Sequence, residues 1–180
     1  YKHLLISVVL LICFSLISLY RSISLKDQEY LIVYNINRVS AINLIDGKDN
    51  ILFANFDEDN MKQIDFSAKN NWLNLGLENE KFIDIVDINS RNILSNIAVL
   101  DNKKVFLKNN FIAYKDKRIL LINKNFRLQD YLHANAKIDV DYIIISNSPD
   151  VNLGDLSRII NFEKIIFDSS NSDYNITRWL

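Results

Sequence analysis

The sequence predicts one mixed α/β domain, two sheets with helices able to cover them, standing behind a helix that crosses a membrane. Three observations lead there. From Leu4 to Tyr20, "LLISVVLLICFSLISLY" carries no charge over a length that suits a bilayer. From Tyr30, short β-rich runs joined by a hairpin signal form an antiparallel meander. Toward the end, "DYIIIS", a helical stretch and "KIIFD" follow one another as strand, helix and strand, which implies a parallel right-handed unit.

The apolar segment is interrupted only by Ser7, Ser15 and Ser18, whose hydroxyls can bond back to helix carbonyls. A cleaved signal peptide would be followed by small residues, whereas "SLYRSISLKD" offers only Ser among bulky and charged neighbours. A lipoprotein signal at Cys13 would need a small residue before it, and Ile12 is not one. The reading is therefore a retained transmembrane helix over residues 1–21, a polar connector over 22–29 and a soluble domain over 30–180. Lys2 before the span and Arg21 and Lys26 after it are too few to orient it. The chain opens without Met and stops inside a helical stretch at "TRWL", so a C-terminally truncated piece of a longer protein is expected. A length of 180 residues suits one soluble domain rather than two. The single Cys provides no disulfide framework, and a net charge of -1 gives no global signature for nucleic acid.

In the soluble part, Tyr30 to Ile36 and Val39 to Ile45 read as strands, the second ending at the hairpin signal Asp46-Gly47, and "NILFAN" is the returning strand. From Asp57 to Leu77 the period changes: Met61, Ile64, Ala68, Trp72 and Leu75 recur at helical steps and should pack on a sheet. "FIDIVDI" (Phe82 to Ile88) alternates as a half-exposed strand. "KVFL", "NFIAY" and "RILLIN" are three more strands, with a turn at Lys115-Asp116-Lys117. Phe126 to Ala136 reads as helical. Ile143, Ile144 and Ile145 suit a strand covered on both faces, Val151 to Ile160 a helix, and "KIIFD" a second fully buried strand.

The turn "ISNSPDVNLGDL" lies at the carboxyl end of a buried strand, where α/β proteins place ligands. Its residue types argue otherwise. Asn amides bind zinc poorly, Pro149 and Val151 offer no side-chain donor, and only Asp150 could coordinate a metal. The structural reading is that Asn152 caps the next helix and Pro149 shapes the turn. A binuclear hydrolase needs several His and carboxylates in one cleft, and the chain has only His3, before the span, and His133, which reads as an ordinary helix residue. A serine nucleophile would need that same His133 and a GxSxG that is absent, and Gly47, Gly76 and Gly154 are too isolated to cradle phosphate. "FDSSNSD" is either a polar rim or a loop in which Ser172 or Asp173 caps the last helix.

One electrostatic feature stands out. Lys103, Lys104, Lys108, Lys115, Lys117, Arg118, Lys124 and Arg127 face the lone nearby acid Asp116 in sequence, with Phe106, Phe111, Tyr114 and Phe126 interleaved. Lysines that release phosphate counterions beside aromatic faces that stack bases suit nonspecific nucleic-acid contact; a solvated strand face with its aromatics in the core is the alternative.

"LIVYNINRVSAINLIDGKDNILFAN", followed much later by "DYIIISNSPDVNLGDL", resembles the C-terminal part of ComEC-type competence proteins, bacterial inner-membrane channels that import transforming DNA. In that family a last transmembrane helix leads into a metallo-β-lactamase-like domain. The family's strand, Asp and Gly-Gln-Gly-Asp-Ala opening meets Asn35 and Asn37-Arg38-Val39-Ser40-Ala41 here, with only the Ala kept. Its Asp-Thr-Gly meets Ala54-Asn55-Phe56. Its ligand motif, Ser-His-Pro-Asp-Ala-Asp-His-Ile-Gly-Gly-Leu, lies without a gap on Ser146 to Leu156, keeping Ser146, Gly154 and Leu156. Asn147 and Asn152 stand where the histidines belong, Pro149 and Val151 where the aspartates belong. The cluster Asp168-Ser169-Ser170-Asn171 also fits the branch of the family found in Bacteroidetes.

The resemblance implies a degenerate metallo-β-lactamase-like αββα sandwich behind one transmembrane helix, in the bacterial inner (cytoplasmic) membrane. It implies a non-hydrolytic module with no cofactor, whose partners are membrane lipid, the rest of the channel protein, other DNA-uptake components and DNA. Oligomeric state is left open. The candidate DNA contacts are Lys103, Lys104, Lys108, Lys117 and Arg118. Two other readings compete: a metal-dependent nuclease completed by segments outside this sequence or by a partner, and a single-pass membrane-anchored interaction module unrelated to DNA.

Overall fold

The computed structural model describes residues 1–85, 96–100, 103–108, 110–124, 126–131 and 137–180, with the backbone alone for 96–100, 103, 104 and 130. The first helix, α1 (Lys2–Ser24), has no buried residue and is long and apolar enough to cross a membrane. At about 1.5 Å per residue it exceeds the ~30 Å hydrocarbon core of a bilayer. Ser7 and Ser15 donate to the carbonyls of His3 and Leu11 at 3.0 and 2.9 Å, so their hydroxyls are satisfied inside the helix. The helix continues past the expected span to Ser24.

The first sheet holds β1 (Glu29–Val33), β2 (Ala41–Asp46), β3 (Asp49–Ala54) and β4 (Asn79–Asp84) in that order. The first three are antiparallel, and β4 runs parallel to β3 after the crossover through α2 (Glu58–Asn74). The β2–β3 turn needs Gly47 at φ +60, in the left-handed region. Asp57 caps α2 by accepting from the Asn60 N–H at 2.7 Å, while Glu58 and Asp59 in the first turn suit the helix dipole.

The second sheet has the order β10-β9-β8-β7-β6-β5: β5 (Asn96–Leu100), β6 (Lys103–Lys108), β7 (Phe111–Tyr114), β8 (Lys117–Ile122), β9 (Ile138–Ile145) and β10 (Ile160–Phe167). Strands β5 to β8 are antiparallel, whereas β8, β9 and β10 are mutually parallel. Helix α3 (Leu153–Ile159) joins β9 to β10, and α4 (Asp173–Trp179) follows.

Three apolar layers hold these elements as an αββα sandwich. Between the sheets, Ile42, Leu44, Ile51 and Phe53 meet Val105, Ile112, Ile119 and Ile144. The opposite face of the first sheet, with Leu52 and Ala54, packs on Ile64, Ala68 and Trp72 of α2. The opposite face of the second sheet, with Leu120, Ile122, Ile143 and Ile145, packs on Leu156 of α3 and Trp179 of α4. Strand periodicity of two produces this division, since alternate residues of β3 and β8 enter different layers.

Several expectations need adjustment. The first strand stops at Val33, because the chain turns through an isolated Ile36–Val39 bridge before β2. The fourth strand starts at Asn79, and Val86 to Ile88 lie outside the described residues. In place of a helix from Phe126, a short 3-10 turn covers Leu128–Tyr131, where Tyr131 stacks on Phe126 and packs edge-on to Phe111 of β7. Residues 132–136, His133 among them, lie outside the described residues. β10 is only half-buried, because it is the edge strand of its sheet. The strand β5 was not anticipated.

Candidate functional site

The parallel strands β8, β9 and β10 end together at Ile122, Ile145 and Phe167, so their following loops meet at one edge of the sandwich. There they join the β1–β2 connection around an open cleft of about 1180 Å³. Residues 33–35, Asn37, Arg38, Lys124, Asn147, Ser148 and the segment from Ile166 to Asp173 line it. This carboxyl edge is where α/β folds bind ligands.

Hydrogen bonds stitch together the loop after β9, the loop after β10 and the β1–β2 connection. The N–H of Asn147 donates to Ser170 Oγ at 2.6 Å, that of Ser148 to Asn171 Oδ1 at 2.9 Å, and that of Ser172 to Ser148 Oγ at 2.8 Å. Asn171 Nδ2 donates to the Ile145 carbonyl at 2.6 Å. The third loop is tied in by Ser169, whose hydroxyl donates to the Ile36 carbonyl at 2.7 Å and whose carbonyl accepts from the Arg38 N–H at 3.1 Å. Asn147 and Ser148 sit at φ 59 and 49, and Arg38 at φ 61, left-handed conformations that the cross-loop bonds hold in place.

At the base of the cleft Asp168 is 2% exposed. Its Oδ1 accepts from the Ser170 hydroxyl, from the Ser170 N–H at 3.1 Å and from Asn171 Nδ2 at 3.2 Å. Its Oδ2 has no hydrogen-bond partner among the described residues. Burial raises the carboxyl above its ordinary value; the Ser170 contacts, and Ser40 facing it, oppose that rise. Ser40 faces the carboxylate without a hydrogen bond of ordinary geometry, so its hydroxyl is unpartnered among the described residues too.

The positions where the resemblance would place metal ligands have other roles. Pro149 and Val151 are buried, Val151 within the layer beneath α3. The Val151 carbonyl accepts from Trp179 Nε1 at 3.1 Å, and Trp179 stacks on Phe167. Asn152 caps α3, its Oδ1 accepting from the N–H groups of Gly154 and Asp155 at 2.8 and 3.2 Å. Asp150 is exposed and pairs with Arg178 at 3.3 Å. No cluster of three His, Cys, Asp or Glu side chains forms among the described residues. Amide and hydroxyl oxygens around one buried carboxylate do not fit a zinc-type or binuclear centre.

The basic residues separate into two groups. Lys117 lies 3.3 Å from Asp141 and 3.7 Å from Asp116, and the Asp141 hydrogen bond holds its pKa up. Asp141 is held down, first by the Arg118 N–H at 2.8 Å and also by Lys117. Lys115 pairs with Glu29 and, at 3.5 Å, with the buried Asp46. In the other group, Lys108 and Arg118 are exposed, and the cross-strand row Phe106, Ala113, Arg118 places the exposed Phe106 and Arg118 on one face. Lys103 and Lys104 open β6, paired with Leu100 and Val99. Sequence reasoning missed Arg38, which shares the cleft with Lys124 and whose position only the folded β1–β2 connection reveals. It read the serines and asparagines of "FDSSNSD" as rim or cap; Ser172 does cap α4, through Asn175 N–H at 3.3 Å, but the stitching by Ser169, Ser170 and Asn171 had no local signal.

The two sheets, with helices on both outer faces, form a layered α+β sandwich whose carboxyl-edge loops carry amide, hydroxyl and carboxylate side chains. A family model described as the ComEC C-terminal domain matches residues 31–180, and the chain belongs to that family. Neither the curated proteins nor the solved structures give a significant match.

Proposed function

We propose that this chain is a membrane-tethered, non-hydrolytic module of a bacterial DNA-uptake channel in the inner membrane, with the domain acting as a scaffold that also touches the incoming strand. Family membership supports the DNA-uptake setting, and α1 supports the tether. The observation that carries the non-hydrolytic reading is the replacement of a ligand loop by a hydrogen-bonded one: Asn152 Oδ1 is engaged in capping α3, Val151 is core, and the loop's N–H groups are held by Ser170 and Asn171. With the Asn152 oxygen committed to the helix cap and Val151 in the core, these two positions offer a cation no ligand without unfolding the cap.

The test is metal binding and nuclease activity of the whole chain in detergent or nanodiscs. Zinc and manganese should bind no more tightly than to an Asn152→Ala variant, and single-stranded and duplex DNA should survive incubation with either metal. Stoichiometric metal uptake coupled to DNA cleavage would overturn the proposal in favour of an active nuclease.

A further inference from the structure

The junction between α1 and the sandwich is clamped. Gln28 is buried and its Nε2 donates to the carbonyls of Gly47 and Leu75 at 2.6 and 2.7 Å, bridging the β2–β3 turn and the end of α2. The Gly47 N–H returns a bond to the Gln28 carbonyl at 2.9 Å. Leu25 lies so close to Gly76 that an added Cβ there would sit 2.9 Å from Leu25 Cδ1. The apolar helix therefore ends against the C-terminal end of α2, which fixes that end beside the membrane surface wherever α1 is inserted.

That same helix carries an unusual outer face. Lys62, Phe66, Lys69 and Leu73 recur at steps of three and four, opposite the buried Ile64, Ala68 and Trp72. Phe66 is 88% exposed and Leu73 68% exposed, on a helix whose other exposed positions are polar. Leu73 stands one turn before Gly76, so the stripe is continuous with the clamped junction. The acids Asp57, Glu58 and Asp59 gather at the far end of α2, where the largely exposed Asp59 and Lys62 lie 3.9 Å apart, and Asp65 lies to one side of the stripe. Two large apolar side chains alternating with two lysines match a headgroup interface, where rings and aliphatic chains enter the acyl boundary and lysines reach anionic lipid.

We infer that the outer face of α2 rests on the bilayer, with Leu73 and Phe66 entering the headgroup region and Lys62 and Lys69 meeting anionic lipid. The domain then lies against the membrane with α2 as its lower layer, leaving the α3 and α4 layer directed away from lipid. This rests on the reading of α1 as a membrane anchor.

Spin-label accessibility in the reconstituted chain tests it. The chain is placed in vesicles of phosphatidylglycerol and phosphatidylethanolamine. Labels go on native Cys13, or, in a Cys13→Ser background, on Leu73→Cys, Phe66→Cys and Tyr174→Cys. Tyr174 is exposed on α4 and serves as the reference for water. The ratio of oxygen to nickel-chelate collisions should be high at Cys13 and several-fold higher at Leu73→Cys and Phe66→Cys than at Tyr174→Cys. It should fall at those two sites when phosphatidylglycerol is replaced by neutral lipid. Lipid exposure at Cys13 with water exposure at positions 66 and 73 would overturn this inference and leave the anchor standing. Water exposure at Cys13 would overturn both. Exclusion of both reagents at positions 66 and 73 would assign the stripe to a protein contact and overturn the lipid assignment.

Discussion

Asn147, Asn152 and Asp168 hold the loops at the carboxyl edge of the second sheet in three different ways. Asn152 supplies a helix cap through its side chain, whereas Asn147 contributes its backbone N–H and a left-handed conformation. Asn152→Ala should therefore cost about 1 kcal/mol of stability, while Asn147→Gly, which keeps the N–H and suits positive φ, should be near neutral. Urea unfolding followed by the fluorescence of Trp72 and Trp179 would decide this, and equal losses at both positions would contradict the division of roles. Asp168 provides a pH signature. Its folded-state pKa is raised above the ordinary 3.8 by burial. Its contribution to stability is thus fully present below that value and is lost as pH rises through the raised pKa. At pH 7 the buried carboxylate, with Oδ2 unpartnered among the described residues, is a liability. Asp168→Asn keeps the accepting Oδ1 and gives Ser40 a donor, so it should stabilise the domain at pH 7 by about 1–3 kcal/mol, the cost of an unsatisfied buried group. The gain should shrink toward pH 4. A destabilised Asp168→Asn variant at pH 7 would mean that the charged form is the one the loop is built around.

At the level of elements, the connection of α1 to the sandwich runs through the buried Gln28. Gln28→Ala removes the donor to two carbonyls and should cost about 1–3 kcal/mol locally. It should also speed tryptic cleavage after Lys26, whose carbonyl faces Gly47; an unchanged cleavage rate would show the linker to be free already. Gln28 was not visible in the sequence as anything but part of a polar connector, because its partners come from residues 47 and 75. Other elements were legible for clear reasons. The β2–β3 hairpin announces itself by Asp46-Gly47, α2 by its helical spacing, and β9 by three consecutive buried isoleucines. The described part of the Phe126 segment, to Tyr131, differs from the expected helix: Phe126 stacks on Tyr131, and Tyr131 packs on Phe111 of β7. β10 looked fully buried because apolar composition cannot distinguish a central strand from an edge.

For the whole molecule, the sequence conveyed the order of strands and helices but not which loops would meet. The cleft depends on residues near 35, 147 and 170 converging, and only the ordered resemblance hinted at it; no local pattern marks Arg38 as a neighbour of Lys124. The same tertiary pairing reorders the basic residues. In sequence Lys117 and Arg118 are adjacent and equivalent, but the parallel β8–β9 pairing brings Asp141 to both: it neutralises the Lys117 ammonium, while from Arg118 it takes a backbone N–H and leaves the guanidinium exposed. Contact with DNA should therefore run over the face that carries Phe106 and Arg118, with Lys108 contributing from the end of β6, and not through Lys117. Each phosphate neutralised contributes a slope of about -0.7 in the logarithm of affinity against the logarithm of salt for single strands. Arg118→Ala and Lys108→Ala should each flatten the slope by up to about that amount, and Phe106→Ala should weaken binding while leaving the slope unchanged, since stacking releases no counterion. Lys117→Ala should change neither, because Asp116 and Asp141 already hold that charge. A salt series with single-stranded DNA and the whole chain in nanodiscs reads all four variants. If Lys117→Ala flattens the slope as much as Arg118→Ala does, the strand runs across the Asp141 side of the sheet and opens that ion pair; if no variant moves affinity or slope, the domain serves the channel as scaffold without touching DNA.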